Sequence, residues 1–197
     1  MTRQILKSTF LAIVFALLAA CDQLTPTYSG IDVTGADWGR DFRLTDADGR
    51  ERTLADFRGK YVMVFFGFVY CPVVCPTVLY TAAEARKGLG VDGERVQVIV
   101  VTLDPERDTP AQTREYARAF DPSFIGLWGT PERIKEVAKE FRVFYQKVPT
   151  GNSYTIDHTA LTYVFDPQGR LRLALRHQQT AEEYIADLRA LMKSGTS

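Results

Sequence analysis
Residues 61–76 read YVMVFFGFVYCPVVCP, and this stretch limits the possible folds more than any other in the chain. Tyr61 to Phe66 is an uncharged run of large apolar and β-branched residues, with Gly59-Lys60 before it and Gly67-Phe68 after it. Such a run predicts a strand covered on both faces, the place of a central strand in an α/β sheet. Cys71 and Cys75 follow directly, three residues between them, each followed by proline. The segment from Pro76 to Leu89 reads as a helix with proline at its first position, where the missing N–H costs nothing. A buried strand thus delivers two thiols to a loop at a helix N-terminus, where free backbone N–H groups and the helix dipole favour the thiolate. Thiolates bind soft metals and attack disulfides, so the chemistry of the chain is expected here.

Met1 to Cys21 has the form of a targeting segment. Arg3 and Lys7 precede an uncharged apolar run, Phe10 to Ala20, shorter than the about 20 residues a membrane helix needs. Its end, Leu18-Ala19-Ala20-Cys21, resembles a bacterial lipobox, which implies cleavage before Cys21 and lipid attachment at that cysteine. An uncleaved N-terminal anchor is the alternative, and both place the remaining chain outside the cytoplasm. Asp22 resembles the signal that keeps some lipoproteins on the inner membrane. The expected organisation is a signal peptide over residues 1–20, a membrane tether over 21–40 and one domain over 41–197. The 24 basic and 24 acidic residues balance, so neither nucleic acid nor an acidic lipid surface is expected as a partner. With Cys21 used by lipid, Cys71 and Cys75 are the cysteines left for chemistry. A structural disulfide across so short a spacer would constrain the unfolded chain little, which leaves a redox or a metal role.

Further along, Phe42 to Thr45 and Arg52 to Leu54 flank a turn at Asp46 to Gly49 and predict an N-terminal hairpin. Val96 to Leu103 is a second uncharged, mostly apolar run, hence a second central strand. Asp108 or Thr109 is expected to cap a helix opened by Pro110, and Thr130 a helix opened by Pro131. Phe124 to Leu127 is a short third parallel strand. Val143 to Asp157 reads as a hairpin-like insertion. Ala160 to Phe165 and Arg170 to Leu175 flank the turn Asp166-Pro167-Gln168-Gly169 and pair antiparallel. The last helix, Thr180 to Met192, carries Tyr184, Ile185, Leu188, Leu191 and Met192 on one stripe. Strands alternating with helices, then a hairpin and a final helix, make a mixed-sheet α/β domain. Cysteines at its first strand–helix junction match the thioredoxin-like arrangement.

Four patches together resemble the Sco/SenC family, thioredoxin-fold copper chaperones of cytochrome c oxidase assembly. They are Phe66 to Pro76 (FGFVYCPVVCP), Thr102 to Pro110 (TLDPERDTP), Asp157-His158-Thr159, and Tyr163 to Gly169 (YVFDPQG). Val74 departs from the family, which often has an acidic residue there. The resemblance implies a copper site of Cys71, Cys75 and His158. Two thiolates and one imidazole are a soft set suited to Cu(I) and able to hold Cu(II) once the imidazole engages. Structural zinc wants a fourth ligand that no further free cysteine supplies. His158, on a loop ahead of the strand from Ala160, would by itself read as an ordinary loop histidine; the resemblance makes it a ligand. Asp157 either orients its ring or is a turn residue. Asp104 and Asp108 should fall near the cysteine loop, where a capped turn is the simpler role. His177 reads as surface. Phe65, Phe66 and Phe68 fill core and shield the site, and Tyr70 is placed to pack over the metal loop.

The implied function is a membrane-tethered metallochaperone rather than an enzyme, on the periplasmic side of the bacterial inner membrane. It would take copper from a periplasmic donor and pass it to the copper-centre subunit of cytochrome c oxidase. The alternative is a thiol–disulfide reductase that keeps that centre's cysteines reduced, with Cys71 and Cys75 as its redox pair. His158 separates the two, since metal binding needs it and dithiol exchange does not. The long spacer and the lack of proline between Gly151 and Phe165 argue against a general thioredoxin. Phe68, in place of the threonine that peroxiredoxins carry three residues before the reactive cysteine, argues against that family.

Overall fold
The computed structural model describes residues 26–195, so the expected signal peptide and the lipid-bearing Cys21 lie outside the described residues. In chain order the elements are β1 (Ile31–Asp32), β2 (Leu44–Thr45), β3 (Glu51–Arg52), β4 (Tyr61–Gly67), α1 (Val74–Gly88), β5 (Val96–Thr102), α2 (Pro110–Arg118), β6 (Ile125–Leu127), α3 (Pro131–Glu140), β7 (Tyr145–Thr150), β8 (Ser153–His158), β9 (Leu161–Phe165), β10 (Leu171–Arg176) and α4 (Ala181–Ser194). One mixed sheet runs β1-β10-β9-β4-β5-β6. β4, β5 and β6 are parallel, with Gly67 opposite Thr102. β9 is antiparallel to β4 and β10 to β9. Every residue of β4 and β5 is buried, as crossover helices on both faces of parallel strands require. This is the α/β, thioredoxin-like architecture expected from the sequence, with β2–β3 as the N-terminal hairpin and β7–β8 as the insertion before the last hairpin.

Alternate side chains of β4 serve opposite faces. Phe66 meets Phe141 at 5.1 Å and Tyr163 at 6.1 Å on one face. Phe65 and Gly67 look the other way, onto α1. The helices begin as their caps dictate. Thr109, Thr130 and Thr180 each accept a hydrogen bond from the backbone N–H three residues on, and proline occupies the first turn of α2 and α3. Of the two residues proposed to cap α2, Thr109 does so, which leaves Asp108 for another task.

Two boundaries differ from expectation. The helix after the cysteines starts at Val74 rather than Pro76. A proline in the third position of the first turn is still harmless, because no N–H there has an intrahelical partner to lose. The folded unit also reaches back before Asp41. β1 pairs antiparallel with β10, the Ser29 and Gly30 N–H groups donate to the Asp187 carboxylate at 2.7 and 2.9 Å, and Trp38 lies edge-on to Tyr163 at 5.8 Å. Much of the stretch read as tether therefore belongs to the fold, where β1 covers what would otherwise be an open sheet edge. A two-residue strand leaves no periodicity to read. Among the described residues no helix is long and apolar enough to cross a membrane.

Candidate metal centre
The site forms at the carboxyl end of β4, where the chain leaves a strand buried on both faces and turns into α1. Cys71 lies in the connecting loop, half-buried, and Cys75 lies in the first turn of α1, fully buried. Both are free thiols. Val73, the residue that precedes α1, has no side chain able to cap it. The Cys71 sulfur takes that role and accepts the Cys75 N–H at 3.3 Å. Gly67 makes room for the pair. A Cβ there would stand 2.9 Å from the Cys75 sulfur and 2.8 Å from the Phe65 ring.

The two thiols are unequal. Cys71 is lowered to about 4, chiefly because the Cys75 thiol donates a hydrogen bond to its sulfur, which with the His158 ring and the backbone N–H groups of Cys75 and Val73 outweighs burial. Cys75 is pushed up, because its proton is held in that hydrogen bond and because burial disfavours charge. At neutral pH the pair is therefore one thiolate sharing one proton with its buried neighbour.

His158 comes from the far side. It ends β8, opposite Tyr145, rather than lying on a loop as expected. Its Nδ1 is 3.1 Å from the Thr159 carbonyl oxygen. A carbonyl only accepts, so Nδ1 donates to it and the contact turns Nε2 toward the sulfurs. That nitrogen stands 3.7 Å from the Cys75 sulfur. The rings of Phe65 and Phe68 meet the imidazole edge-on at 6.2 and 5.9 Å and fix its plane. Ligand atoms of Cys71, Cys75 and His158 all fall within 4.8 Å of one another, the only such cluster among the described residues. A cavity of about 200 Å³ lies between the cysteine loop and β8, lined by Cys71, Val74, Ile156 and His158 among others. Three soft or borderline donors this close, two of them sulfur, suit copper better than a hard cation.

Asp104 and Asp108 beside the site are buried and hydrogen-bonded. One Asp108 oxygen accepts the Val69 N–H at 3.0 Å and the Thr102 hydroxyl at 2.6 Å, tying the cysteine loop to the end of β5. Burial, the largest influence, raises its carboxyl above the ordinary range. Asp104, fully buried, accepts the Tyr154 hydroxyl at 2.8 Å and pairs with the Arg107 guanidinium. Asp157 is exposed on the opposite face of β8 from His158, so the Thr159 carbonyl, not Asp157, orients the imidazole. Tyr70 is exposed and faces the Arg107 guanidinium at 5.3 Å instead of covering the sulfurs. His177 lies in the turn after β10, outside the cluster. Sequence patterns alone do not mark Gly67, Thr159, Arg107 and Tyr154 as site residues. Arg107 sat in plain view inside the TLDPERDTP patch, and Tyr154 lies four residues before His158, on the same side of a strand.

The SCO1/SenC family model matches residues 32–193. The mitochondrial SCO2 homolog of Bos taurus is 35% identical over 156 residues, covering 77% of this chain and 59% of that protein. The chain thus spans about three fifths of the length of such curated relatives. Among solved structures, Bradyrhizobium japonicum ScoI with copper bound is 43% identical, with a TM-score of 0.69 over 76% of this chain and 96% of that one. Apo Sco1 of Thermus thermophilus is 42% identical, with a TM-score of 0.76 over 85% of this chain and 99% of that one. The strand-tip dithiol, the convergent imidazole and these matches lead to one conclusion: the chain belongs to the SCO1/SenC family.

Proposed function
We propose that this protein binds copper through Cys71, Cys75 and His158 and passes it to the dinuclear copper centre of cytochrome c oxidase during assembly. The observation that carries the reading is the convergence of two sulfurs and an imidazole nitrogen within 4.8 Å, with the ring oriented by the Thr159 carbonyl at its other nitrogen. The copper-bound state of the Bradyrhizobium japonicum relative supports it. Copper is cargo here. The Cys71 thiolate captures Cu(I) first, because it is already charged and the more accessible of the two. Cys75 then releases its proton and closes the pair, and His158 completes the set. Delivery reverses the order by exchange with cysteines of the acceptor. Cys21 carries the lipid that keeps the domain at the periplasmic face of the inner membrane, within reach of a copper donor and the oxidase.

A competition titration tests this. Reduced wild-type and His158→Ala proteins are titrated with Cu(I), and then Cu(II), against a chelator of known affinity. The expected result is one copper per chain, with Cu(II) weakened by about ten- to a hundredfold in the variant and its sulfur-to-copper absorption altered. Equal affinities and spectra would take His158 out of the site. A second reading, thiol–disulfide exchange, draws on the accessible, acidified Cys71 beside a buried protonated Cys75, the asymmetry of an attacking and a resolving thiol. Disulfide reduction that survives His158→Ala while copper binding is lost would favour it.

A further inference from the structure
Arg107 lies outside the metal cluster, in the loop after β5, yet it joins the two arms that must meet there. Its Nη1 donates to the Tyr154 carbonyl at 2.9 Å and to the Ser153 hydroxyl at 3.3 Å. Its Nε donates to the buried Asp104 carboxylate, whose other oxygen accepts the Tyr154 hydroxyl. The guanidinium stacks over the Tyr154 ring at 3.7 Å and faces the Tyr70 ring at 5.3 Å. Tyr70 adjoins Cys71, and Tyr154 shares a strand with His158.

That shared strand gives the contact its leverage. Tyr154, Ile156 and His158 lie on one face of β8, because side chains repeat every second residue. Tyr154 is gripped by Arg107, Ile156 is buried in the core, and His158 reaches the sulfurs. The hairpin β7–β8 is a two-stranded sheet of its own and has no ladder to the main sheet. Near its tip the other ties among the described residues are the Tyr154 hydroxyl on Asp104, a carboxylate itself paired with Arg107, and the exposed pair Lys147–Glu106, the last a kind of contact that contributes little. A planar fork is needed to reach a carboxylate, a carbonyl and an aromatic face at once, which lysine cannot do.

We propose that Arg107 is the positioning residue of the copper site: it holds the His158 strand against the cysteine loop, so the imidazole is in place before the metal arrives. The assignment rests on the copper reading above. Two thiolates can satisfy Cu(I) without the imidazole, whereas Cu(II) needs it. Loss of Arg107 should therefore fall chiefly on Cu(II).

The test uses the full chain with Arg107→Met and Arg107→Lys. In the metal-free proteins, amide hydrogen exchange is followed over residues 153–158. In the loaded proteins, Cu(I) and Cu(II) affinities and nitrogen hyperfine coupling are measured. The expected outcome in Arg107→Met is faster exchange over the hairpin, Cu(II) weakened by about ten- to a hundredfold with loss of nitrogen coupling, and Cu(I) much less changed. Arg107→Lys, which keeps the charge and stem, should move in the same direction and decides the matter if the methionine variant does not fold. Unchanged exchange and unchanged Cu(II) binding would overturn the assignment. So would an equal loss of both copper states accompanied by general destabilisation, which marks a merely structural role. If the wild-type chain bound no copper, the functional reading would fall, while the exchange experiment would still decide whether Arg107 holds the hairpin.

Discussion
At the residue scale, the site works by making two identical side chains different. Cys71 caps a helix start that has no other cap and accepts the Cys75 proton, while Cys75 is sealed beneath Gly67 and Phe65. The consequence can be measured with iodoacetamide. Because Cys71 is lowered to about 4, its thiolate is present above that value and lost below it. Alkylation of Cys71 should therefore stay nearly constant from pH 8 down to about 5, where an ordinary thiol near 8.5 would slow about tenfold per unit. Mass spectrometry of the modified peptide, which separates Cys71 from Cys75, is the readout. A rate that climbs steeply between pH 7 and 9 would mean that the helix terminus and Cys75 do not hold the charge. The same asymmetry predicts a copper affinity that decreases as the pH is lowered, since binding must displace the Cys75 proton.

At the scale of elements, the cysteine loop is held from below by β5. The Asp108 carboxylate is the shared acceptor for Val69 N–H and the Thr102 hydroxyl. Asp108→Ala should cost about 2–4 kcal/mol, because two buried donors lose their partner. Asp108→Asn keeps an oxygen and should cost about 1 kcal/mol. Urea unfolding of both variants reads the difference directly. Burial raises the Asp108 carboxyl in the folded state, so the folded protein holds this proton more tightly than the unfolded chain. Its contribution to stability is therefore greatest in acid and declines as pH rises above about 4 through the folded value. Asp166 has the opposite sign. Burial works against its charge, but the Arg170 backbone N–H and the Arg170 and Arg172 guanidinium groups outweigh it and lower the carboxyl. Its stabilisation is present at neutral pH and is lost as pH falls below about 4.

At the scale of the whole molecule, the first and last parts of the described fold are tied together through α4. The Asp187 carboxylate accepts from Ser29 N–H, Gly30 N–H and Gln179 Nε2. Asp187→Ala should lower stability by about 2–4 kcal/mol, or Tm by about 5–12 °C for a domain of this size. Hydrogen exchange should accelerate first in residues 29–33, while copper affinity stays as in wild type. Coincident loss of copper binding would show that the N-terminal segment and the metal site are coupled, which the hydrogen bonds here do not suggest.

Much of this was legible in the chain itself. Uncharged runs at Tyr61 and Val96 determined the central strands, since only a doubly covered strand tolerates so many apolar residues in succession. Threonine-proline pairs determined two helix starts, and Asp-Pro-Gln-Gly the last hairpin, because these local preferences need no distant partner. The thiols at a strand–helix junction were visible for the same reason. What remained for the tertiary structure depends on residues far apart in sequence. No local rule brings His158 to within 3.7 Å of the Cys75 sulfur, moves Asp108 from a cap to a brace beneath the cysteine loop, or spans Tyr70 and Tyr154 with one guanidinium. Nor does any period announce the two-residue strand at Ile31, which exists because β10 would otherwise have an open edge. Local chemistry chose the elements and the sulfur donors; packing across the sheet chose their partner and its orientation.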